Sequence, residues 1–151
     1  MRLHASRRPR VLVHNFQRAL RVDLPKLQKS AEKILELVLR IRPGRRTQLR
    51  RLGEISVLLI SDRRMAWLHR QFLGQSVTTD VLAFQHGEIF ISVETARRHA
   101  RRFGNSLAQE LRLYVVHGLL HLHGFSDRGK GEARKMEVVQ QRILQSARRL
   151  N

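Results

Sequence analysis

The sequence predicts an α+β fold, in which a single mixed sheet of about four strands packs with helices. Short apolar, β-branched runs are interspersed with longer stretches of helical periodicity in the order β-α-β-α-β-β-α-α-α. No repeat and no linker-like segment divides the 151 residues, of which 42% are hydrophobic. A chain of this length and composition can bury one substantial core, so residues 1–151 are expected to form a single domain.

Four short runs rich in β-branched and apolar residues are the predicted strands. They cover residues 11–16, 54–60, 80–84 and 87–92. The link Gln85-His86-Gly87 between the third and fourth runs is short, which predicts a β-hairpin.

Five stretches with apolar residues at helical spacing are the predicted helices. They begin near residues 24, 62, 93, 106 and 131, and the last ends near residue 150. Pro25 suits the first turn of the first helix, where its missing N–H would be unpaired anyway, and Pro43-Gly44 ends that element. Ser106 and Gln109 form a capping-box pattern at the start of the fourth helix. The fourth helix is apolar almost all round, so it is expected to be the central buried helix.

Positive charge is the strongest global feature of the chain. Thirty Lys and Arg residues against twelve Asp and Glu residues give a formal net charge of +18. Arginine predominates, and its planar guanidinium suits bidentate phosphate contacts and stacking on bases. The composition therefore favours nucleic acid as a partner over an anionic membrane. The alternative is a basic surface that serves only solubility.

Two stretches concentrate this charge. The third predicted helix carries four arginines that form a broad cationic face and are expected to bind backbone phosphates: Arg97, Arg98, Arg101 and Arg102. Residues 1–9 are also basic and contain Pro9. They are expected to be either a flexible arm that touches phosphate or a frayed end.

The sequence also limits the compartment and the type of metal site. There is no cysteine, so any metal must be held by histidine and carboxylate ligands. No apolar run approaches the ~20 residues needed to cross a membrane, and no apolar stretch follows the basic N-terminus as in a secretory signal. A cytoplasmic protein without a membrane partner is therefore expected.

Two histidines four residues apart on the central helix form the main candidate site. Residues at i and i+4 share one helical face, so His117 and His121 can direct their imidazoles at one point. Gly124 can adopt positive φ and end the helix, which lets the chain fold back and bring Asp127 to that point. Three protein ligands with an open fourth position are typical of catalytic zinc. The spacing predicts one zinc ion per chain, with a metal-bound water held by His117, His121 and Asp127.

The spacing alone leaves a second interpretation open, in which His117 and His121 are a hydrogen-bonded core pair and Asp127 is a turn residue. His123 lies about 200° round the helix from His121, so it points away and is expected to face solvent or pack locally. Three histidines in other elements lack ligand spacing and are expected to be surface or hydrogen-bonded residues: His69, His86 and His99.

The residue after the first histidine separates this site from zinc metalloproteases. Those enzymes place Glu there as the general base, whereas Gly118 cannot transfer a proton. Peptide hydrolysis by that route is therefore disfavoured. Gly118 is also expected to leave room beside the metal for a bulky ligand.

Several motifs occur together in an order that matches a known family. They are Leu68-His-Arg-Gln-Phe72, Thr79-Asp-Val-Leu-Ala-Phe84, Gly87-Glu-Ile-Phe-Ile-Ser92, Gly104-Asn-Ser-Leu107 with Glu110, and His117-Gly-Leu-Leu-His-Leu-His-Gly-Phe-Ser-Asp127. Together they resemble the YbeY endoribonucleases, the bacterial rRNA maturation factors, from about Ile55 to Asp127. The resemblance implies a zincin-like, metal-dependent hydrolase domain with zinc on three histidines. It further implies cleavage of single-stranded RNA in 16S rRNA 3′-end maturation and ribosome quality control, with rRNA, small ribosomal subunit proteins and the Era GTPase as partners.

Three positions depart from the family pattern. Asp127 stands where the family usually has His; an Asp oxygen is an acceptable zinc ligand, but it lowers the charge of the site by one. We therefore expect weaker acidification of the bound water and looser discrimination between metals. Leu73 replaces a functional arginine of the family, and Arg70, one helical turn earlier, is expected to substitute for it. His69 stands where the family usually has Asn.

The sequence thus predicts a zinc-dependent endoribonuclease acting on rRNA. The alternative is a ribosome-assembly factor that binds RNA without cleaving it and carries a structural metal.

Overall fold

The computed structural model describes residues 8–45, 47–72 and 80–149. Within those ranges the elements follow the predicted order, with one added 3-10 helix, Leu49–Arg51. The strands are β1 (Arg10–Asn15), β2 (Glu54–Ile60), β3 (Val81–Phe84) and β4 (Glu88–Ser92). The helices are α1 (Leu24–Leu39), α2 (Asp62–Phe72), α3 (Val93–Phe103), α4 (Leu107–Leu122) and α5 (Lys130–Arg149). Leu73 and residues 1–7 of the basic N-terminal stretch lie outside the described residues.

The four strands form one mixed sheet in the order β1-β2-β4-β3. β1 and β4 both run parallel to β2, whereas β3 is antiparallel to β4, with Leu82 opposite Phe90. The β3–β4 hairpin is closed by the N–H of Gly87, which donates to the carbonyl of Phe84 at 3.0 Å. The predicted α+β fold with a mixed sheet is confirmed.

Side chains alternate along the strands, and one face of the sheet forms the main core against α1 and α4. Val57, Leu59, Ile89 and Ile91 on that face are fully buried. On the other face, Met65 and Leu68 of α2 pack in a smaller cluster with Ile60, Leu82 and Phe90. The sheet thus has a deep core on one side and a thinner cover on the other.

Helix α4 is the most deeply buried helix, as its sequence predicts: Val115, Val116, Leu119 and Leu120 have no exposed surface. The capping box at its start is present, since the Gln109 N–H donates to Ser106 Oγ at 3.1 Å and the Ser106 N–H donates to Gln109 Oε1 at 2.8 Å. None of the helices in the described part is both long and apolar enough to cross a membrane.

Helices α1 and α4 run side by side in the same direction. Near their N-terminal ends, Val22 and Leu27 line a surface cleft with Leu107 and Leu111. Beyond the C-terminal end of α1, Gly44 N–H donates to the carbonyl of His123 at 2.9 Å. The loop before α1 therefore lies at the start of α4, and the loop after α1 lies at its end.

Strand β1 is an edge of the sheet, and a side chain of α1 takes up part of that edge. The N–H of Val13 donates to Gln28 Oε1, and Gln28 Nε2 donates to the carbonyl of Val11, both at 2.8 Å. Backbone groups of alternate residues in a strand point to opposite sides, and Arg10 and Phe16 direct their N–H groups towards β2 and the residue before it. The N–H of Val13 and the carbonyl of Val11 therefore point away from β2. The amide of Gln28 therefore occupies the place where a further strand would bond.

Candidate metal centre

The last turns of α4 place two histidine side chains on one helical face. The Nε2 atoms of His117 and His121 lie 2.9 Å apart. The helix ends at Leu122, and Gly124 adopts a φ of 96°, which favours glycine. The resulting turn brings Asp127 Oδ2 to 3.7 Å from His117 Nε2 and 3.6 Å from His121 Nε2. The three ligands predicted from the sequence thus converge, and the described residues contain no other such group of three.

Each imidazole is oriented by an acceptor at its other ring nitrogen. His117 Nδ1–H donates to Gln140 Oε1 on α5 at 2.6 Å, and His121 Nδ1–H donates to the carbonyl of Phe125 at 3.1 Å. A neutral imidazole protonated at Nδ1 carries a lone pair at Nε2. In the neutral tautomer that these two bonds favour, each Nε2 lone pair faces the Asp127 carboxylate.

Three electron-pair donors this close repel one another unless a cation lies between them. A tetrahedral zinc ion with bonds of ~2.0–2.1 Å separates its ligands by ~3.3 Å, in the middle of the separations seen here. Imidazole nitrogen and carboxylate oxygen are both accepted by zinc. The donor set of His117, His121 and Asp127 therefore fits a metal ion.

The other interpretation, a hydrogen-bonded core pair, requires a proton between the two Nε2 atoms and hence one imidazolium. Burial lowers the pKa of His121 below its ordinary value, and His117 lowers that pKa further; Asp127 and the carbonyl of Phe125 raise it by less. The lowered pKa disfavours an imidazolium at His121. Its lone pair is available to a metal.

The site is partly open to solvent. The side chains of His117 and His121 are each 28% exposed, and that of Asp127 is 51% exposed. An ion held by these three residues could accept a further ligand from outside, as a catalytic rather than a closed structural site requires.

The expected role of Gly118 is wrong in one respect. A Cβ at this position would lie 2.6 Å from Cγ2 of Ile89 on β4. The space beside Gly118 is therefore filled by the sheet and does not make room for a ligand of the metal. Glycine is needed here because α4 packs directly on β4, and it still offers no general base.

His123 points away from the metal ligands, as expected, but it does not face solvent. It has no exposed surface, and its Nε2 lies 2.7 Å from the carbonyl of Ile41. Burial lowers the pKa of His123, the bond to Ile41 raises it, and nearby Arg50 lowers it again. His123 thus joins the end of α4 to the segment that follows α1.

The three histidines predicted to lie outside the metal site, His69, His86 and His99, are not part of the three-residue group found among the described residues. His86 is exposed in the hairpin, and His69 is buried in α2. His99 Nδ1 lies 3.2 Å from Asp80 Oδ2 and 3.1 Å from the hydroxyl of Tyr114. Burial, Asp80 and Glu110 together raise the pKa of Tyr114 far above its ordinary value, so its hydroxyl stays protonated.

Two of the predicted phosphate-binding arginines lie at the opposite end of α4 from the three ligands. Arg101 and Arg102 are exposed near the end of α3, which leads into the start of α4, whereas the ligands lie at the end of α4. Arg97 is half-buried, and Arg70 is exposed near the end of α2. Arg98 is engaged within the fold: its Nη1 donates to Asp62 Oδ2 at 2.7 Å and its Nη2 donates to Thr95 Oγ1 at 2.8 Å.

Gln140 is the residue of the centre that the sequence did not indicate. It lies on the face of α5 that carries buried Met136 and Ile143 at helical spacing. A polar residue inside an apolar stripe is a signal of a buried polar contact. The partner, His117, lies 23 positions away and cannot be read from the local pattern.

Comparison with known proteins assigns the chain to a family. A family model described as Endoribonuclease YbeY matches residues 12–148. The chain belongs to the YbeY family. The resemblance found in the sequence motifs is therefore confirmed.

Individual relatives agree with this assignment. The endoribonuclease YbeY of Thermus thermophilus is 36% identical over 124 residues, which cover 72% of this chain and 89% of that protein. The endoribonuclease YbeY of Frankia alni is 30% identical over 156 aligned positions, which cover 90% of this chain and 81% of that protein. A solution structure of a Thermotoga maritima protein has a TM-score of 0.60 and 27% identity, and the match covers 92% of this chain and 88% of that one.

Proposed function

We propose that this chain is a zinc-dependent endoribonuclease that cleaves single-stranded RNA. The observation that carries the proposal is the convergence of two imidazole lone pairs and a carboxylate in a partly open site. The formal net charge of +18 supports a polyanionic substrate, and the relatives named as endoribonucleases support RNA.

The residues of the chain have distinct roles in this proposal. His117, His121 and Asp127 hold the metal, while Gln140 and the carbonyl of Phe125 keep the imidazole lone pairs directed at it. When bound, the ion supplies a Lewis acid that polarises phosphate oxygens and acidifies water. Because Asp127 is anionic, we expect this acidification to be weaker than with three neutral histidines.

Arginines bind the phosphates of the substrate backbone. Exposed Arg70, Arg101 and Arg102 and half-buried Arg97 have guanidinium groups available for such contacts. Arg98 offers only the N–H groups that remain beside its bonds to Asp62 and Thr95.

The proposed substrate is rRNA, with maturation of the 16S rRNA 3′ end and ribosome quality control as the cellular processes. Small ribosomal subunit proteins and the Era GTPase are the proposed partners, and the cytoplasm is the proposed compartment. The resemblance of the motifs to the YbeY family supports these points, and the basic composition is compatible with them.

The test is cleavage of an end-labelled single-stranded rRNA fragment by zinc-loaded and by chelator-treated protein. We expect products only with zinc. His121→Ala should lose both zinc and cleavage, whereas His86→Ala, which changes an exposed histidine of the hairpin, should keep both. Undiminished cleavage by metal-free His121→Ala protein would contradict the proposed mechanism.

A second candidate function is RNA binding during ribosome assembly, with the metal in a structural role. It is favoured by the lack of a general base in the three-residue group, since its single carboxylate is a ligand and Gly118 faces the sheet. In the same assay, RNA retention without zinc-dependent products would support this function instead.

A further inference from the structure

The segment from Arg40 to Arg51, here called the arginine loop, is the most basic short stretch close to the metal ligands. It contains six arginines and no acidic residue. Arg46 lies outside the described residues, and the other five are exposed. The loop follows α1 and includes the short 3-10 helix.

Three hydrogen bonds attach the arginine loop to the end of α4. Gly44 N–H donates to the carbonyl of His123 at 2.9 Å, and Gln48 N–H donates to the carbonyl of Leu122 at 2.8 Å. The buried imidazole of His123 lies 2.7 Å from the carbonyl of Ile41. The loop is thus fixed on both sides of Gly44.

A contact between two glycines brings the loop and the ligand-bearing turn together. A Cβ on Gly44 would overlap the carbonyl of Gly124, and a Cβ on Gly124 would lie 2.8 Å from the carbonyl carbon of Gly44. Gly124 is three residues from Asp127, and three extended residues span at most ~10 Å. The backbone of Arg45 therefore lies within about 15 Å of Asp127.

The arginines of the loop divide into engaged and available groups. Arg40 pairs with Glu36 at 3.8 Å, and Arg50 Nη2 donates to the carbonyl of Leu39 at 3.0 Å. Arg42, Arg45 and Arg51 are exposed and form no salt bridge with any described residue. Their guanidinium groups are available to an external anion.

We propose that the arginine loop is a phosphate-binding surface that holds the single-stranded RNA backbone beside the metal ligands, through Arg42, Arg45 and Arg51. The inference rests on the proposed ribonuclease function and deepens it by naming a docking element outside α2 and α3. The hydrogen bonds to Leu122 and His123 fix this element relative to the ligand turn, so ordering it on binding costs little conformational entropy.

The loop before α1 provides a matched comparison within the same chain. It carries exposed Arg18 and Arg21 and lies by Leu107 and Leu111 at the start of α4. The 16 residues of α1 separate the two loops by about 24 Å. Removing two charges from either loop changes the net charge equally, but only one loop adjoins the metal ligands.

The decisive experiment measures binding of a fluorescent single-stranded rRNA fragment to chelator-treated protein at several salt concentrations. Arg42→Gln/Arg45→Gln should weaken binding by about tenfold or more and reduce the salt slope by about 1.4, the value for two lost phosphate contacts. Arg18→Gln/Arg21→Gln should change binding much less and leave the slope intact. Arg42→Lys/Arg45→Lys, which keeps the charge, should restore the slope.

Equal weakening by the two glutamine pairs would overturn the proposal, because net charge alone would then account for binding. Unchanged affinity of Arg42→Gln/Arg45→Gln would overturn it as well. Cleavage by zinc-loaded protein separates this inference from the proposed function. If binding depends on Arg42 and Arg45 but the zinc-loaded protein does not cleave RNA, the phosphate-binding role of the loop stands and the nuclease proposal fails. If zinc-loaded Arg42→Gln/Arg45→Gln cleaves with an unchanged KM, only the phosphate-binding role of the loop fails.

Discussion

At the scale of single residues, the candidate metal centre depends on which atom of each imidazole is left free. Gln140 and the carbonyl of Phe125 engage the Nδ1 atoms, which leaves the Nε2 lone pairs for a metal. Such outer partners fix the tautomer and orientation of metal-binding histidines. The properties of the centre therefore depend on residues beyond its three ligands.

Replacing Gln140 by Leu should lower zinc affinity about 10–100-fold, because His117 loses the acceptor that holds its Nδ1–H. Competition with a chromophoric chelator measures the change. Gln140→Glu keeps an acceptor and should retain most of the affinity. Equal zinc affinity in Gln140→Leu and the unsubstituted protein would show that His117 needs no such support.

Asp127→Ala should reduce the zinc content of purified protein, because only two of the three converging donors remain. Asp23→Ala is the control, since Asp23 is an exposed carboxylate that caps α1 and lies outside this group. Metal analysis of the two variants measures the difference. If Asp127→Ala carries as much zinc as Asp23→Ala, Asp127 is not a ligand.

At the scale of elements, the fold depends on close packing of α4 against the sheet and on polar contacts between α2 and α3. Gly118 lets α4 approach Ile89 of β4. Asp62, at the start of α2, accepts hydrogen bonds from Ser92, Thr95 and Arg98, and so ties α2 to the end of β4 and to α3.

Gly118→Ala should destabilise the fold by ~1–3 kcal/mol, because the new methyl group would lie 2.6 Å from Cγ2 of Ile89. Gly131→Ala is the matched control: it also lies in a helix, but its added Cβ meets nothing, so its stability should be unchanged or slightly higher. Urea unfolding measures both. Combining Gly118→Ala with Ile89→Ala should cost less than the sum of the two single changes, whereas strict additivity would argue against the clash.

Acid stability should depend on Asp62. Burial alone would raise the pKa of Asp62, but the hydrogen bonds from Ser92, Thr95 and Arg98 lower it below the ordinary value of 3.8. A carboxyl group with a lowered folded pKa stabilises the fold above its unfolded pKa, and this contribution is lost as the pH falls through the folded pKa. The free energy of unfolding should therefore fall below about pH 4, and Asp62→Asn should make it depend less on pH in this range. The same pH profile in both proteins would assign the acid loss to other groups.

At the scale of the whole molecule, the arginine content makes RNA affinity a function of salt. With a formal net charge of +18, the chain should release counterions from RNA on binding, so the logarithm of affinity should fall linearly with the logarithm of salt concentration. Chelating the metal should leave this slope nearly unchanged, because the arginines lie outside the three-ligand group. Fluorescence anisotropy across a salt series measures the slope, and salt-independent binding would contradict the electrostatic account.

Local patterns in the sequence predicted the elements of the described part closely. Strand β2 has the predicted bounds and helix α3 begins at the predicted residue, because apolar periodicity and cap residues define these ends. The three-residue 3-10 helix was missed, since it is too short to show a period. The convergence of His117, His121 and Asp127 followed from helical spacing and one glycine turn.

Contacts between distant segments were not predictable in the same way. The bonds from Gly44 and Gln48 to the end of α4, and from Gln140 to His117, join elements whose relative placement depends on the packed core. No local pattern contains that information. For the same reason, Gly118 was interpreted in terms of the metal when its neighbour is Ile89.

The amide of Gln28, which occupies the outer edge of β1, has a consequence for self-association. An open edge strand can pair with a second copy of the chain and so seed aggregates. Here both the N–H of Val13 and the carbonyl of Val11 are already engaged. Charge repulsion between molecules of net charge +18 also keeps copies apart at low salt. Because high salt screens this repulsion, only the capping of the β1 edge by Gln28 then opposes association. Gln28→Ala protein should then sediment as larger species at high salt, while the unsubstituted chain stays dispersed.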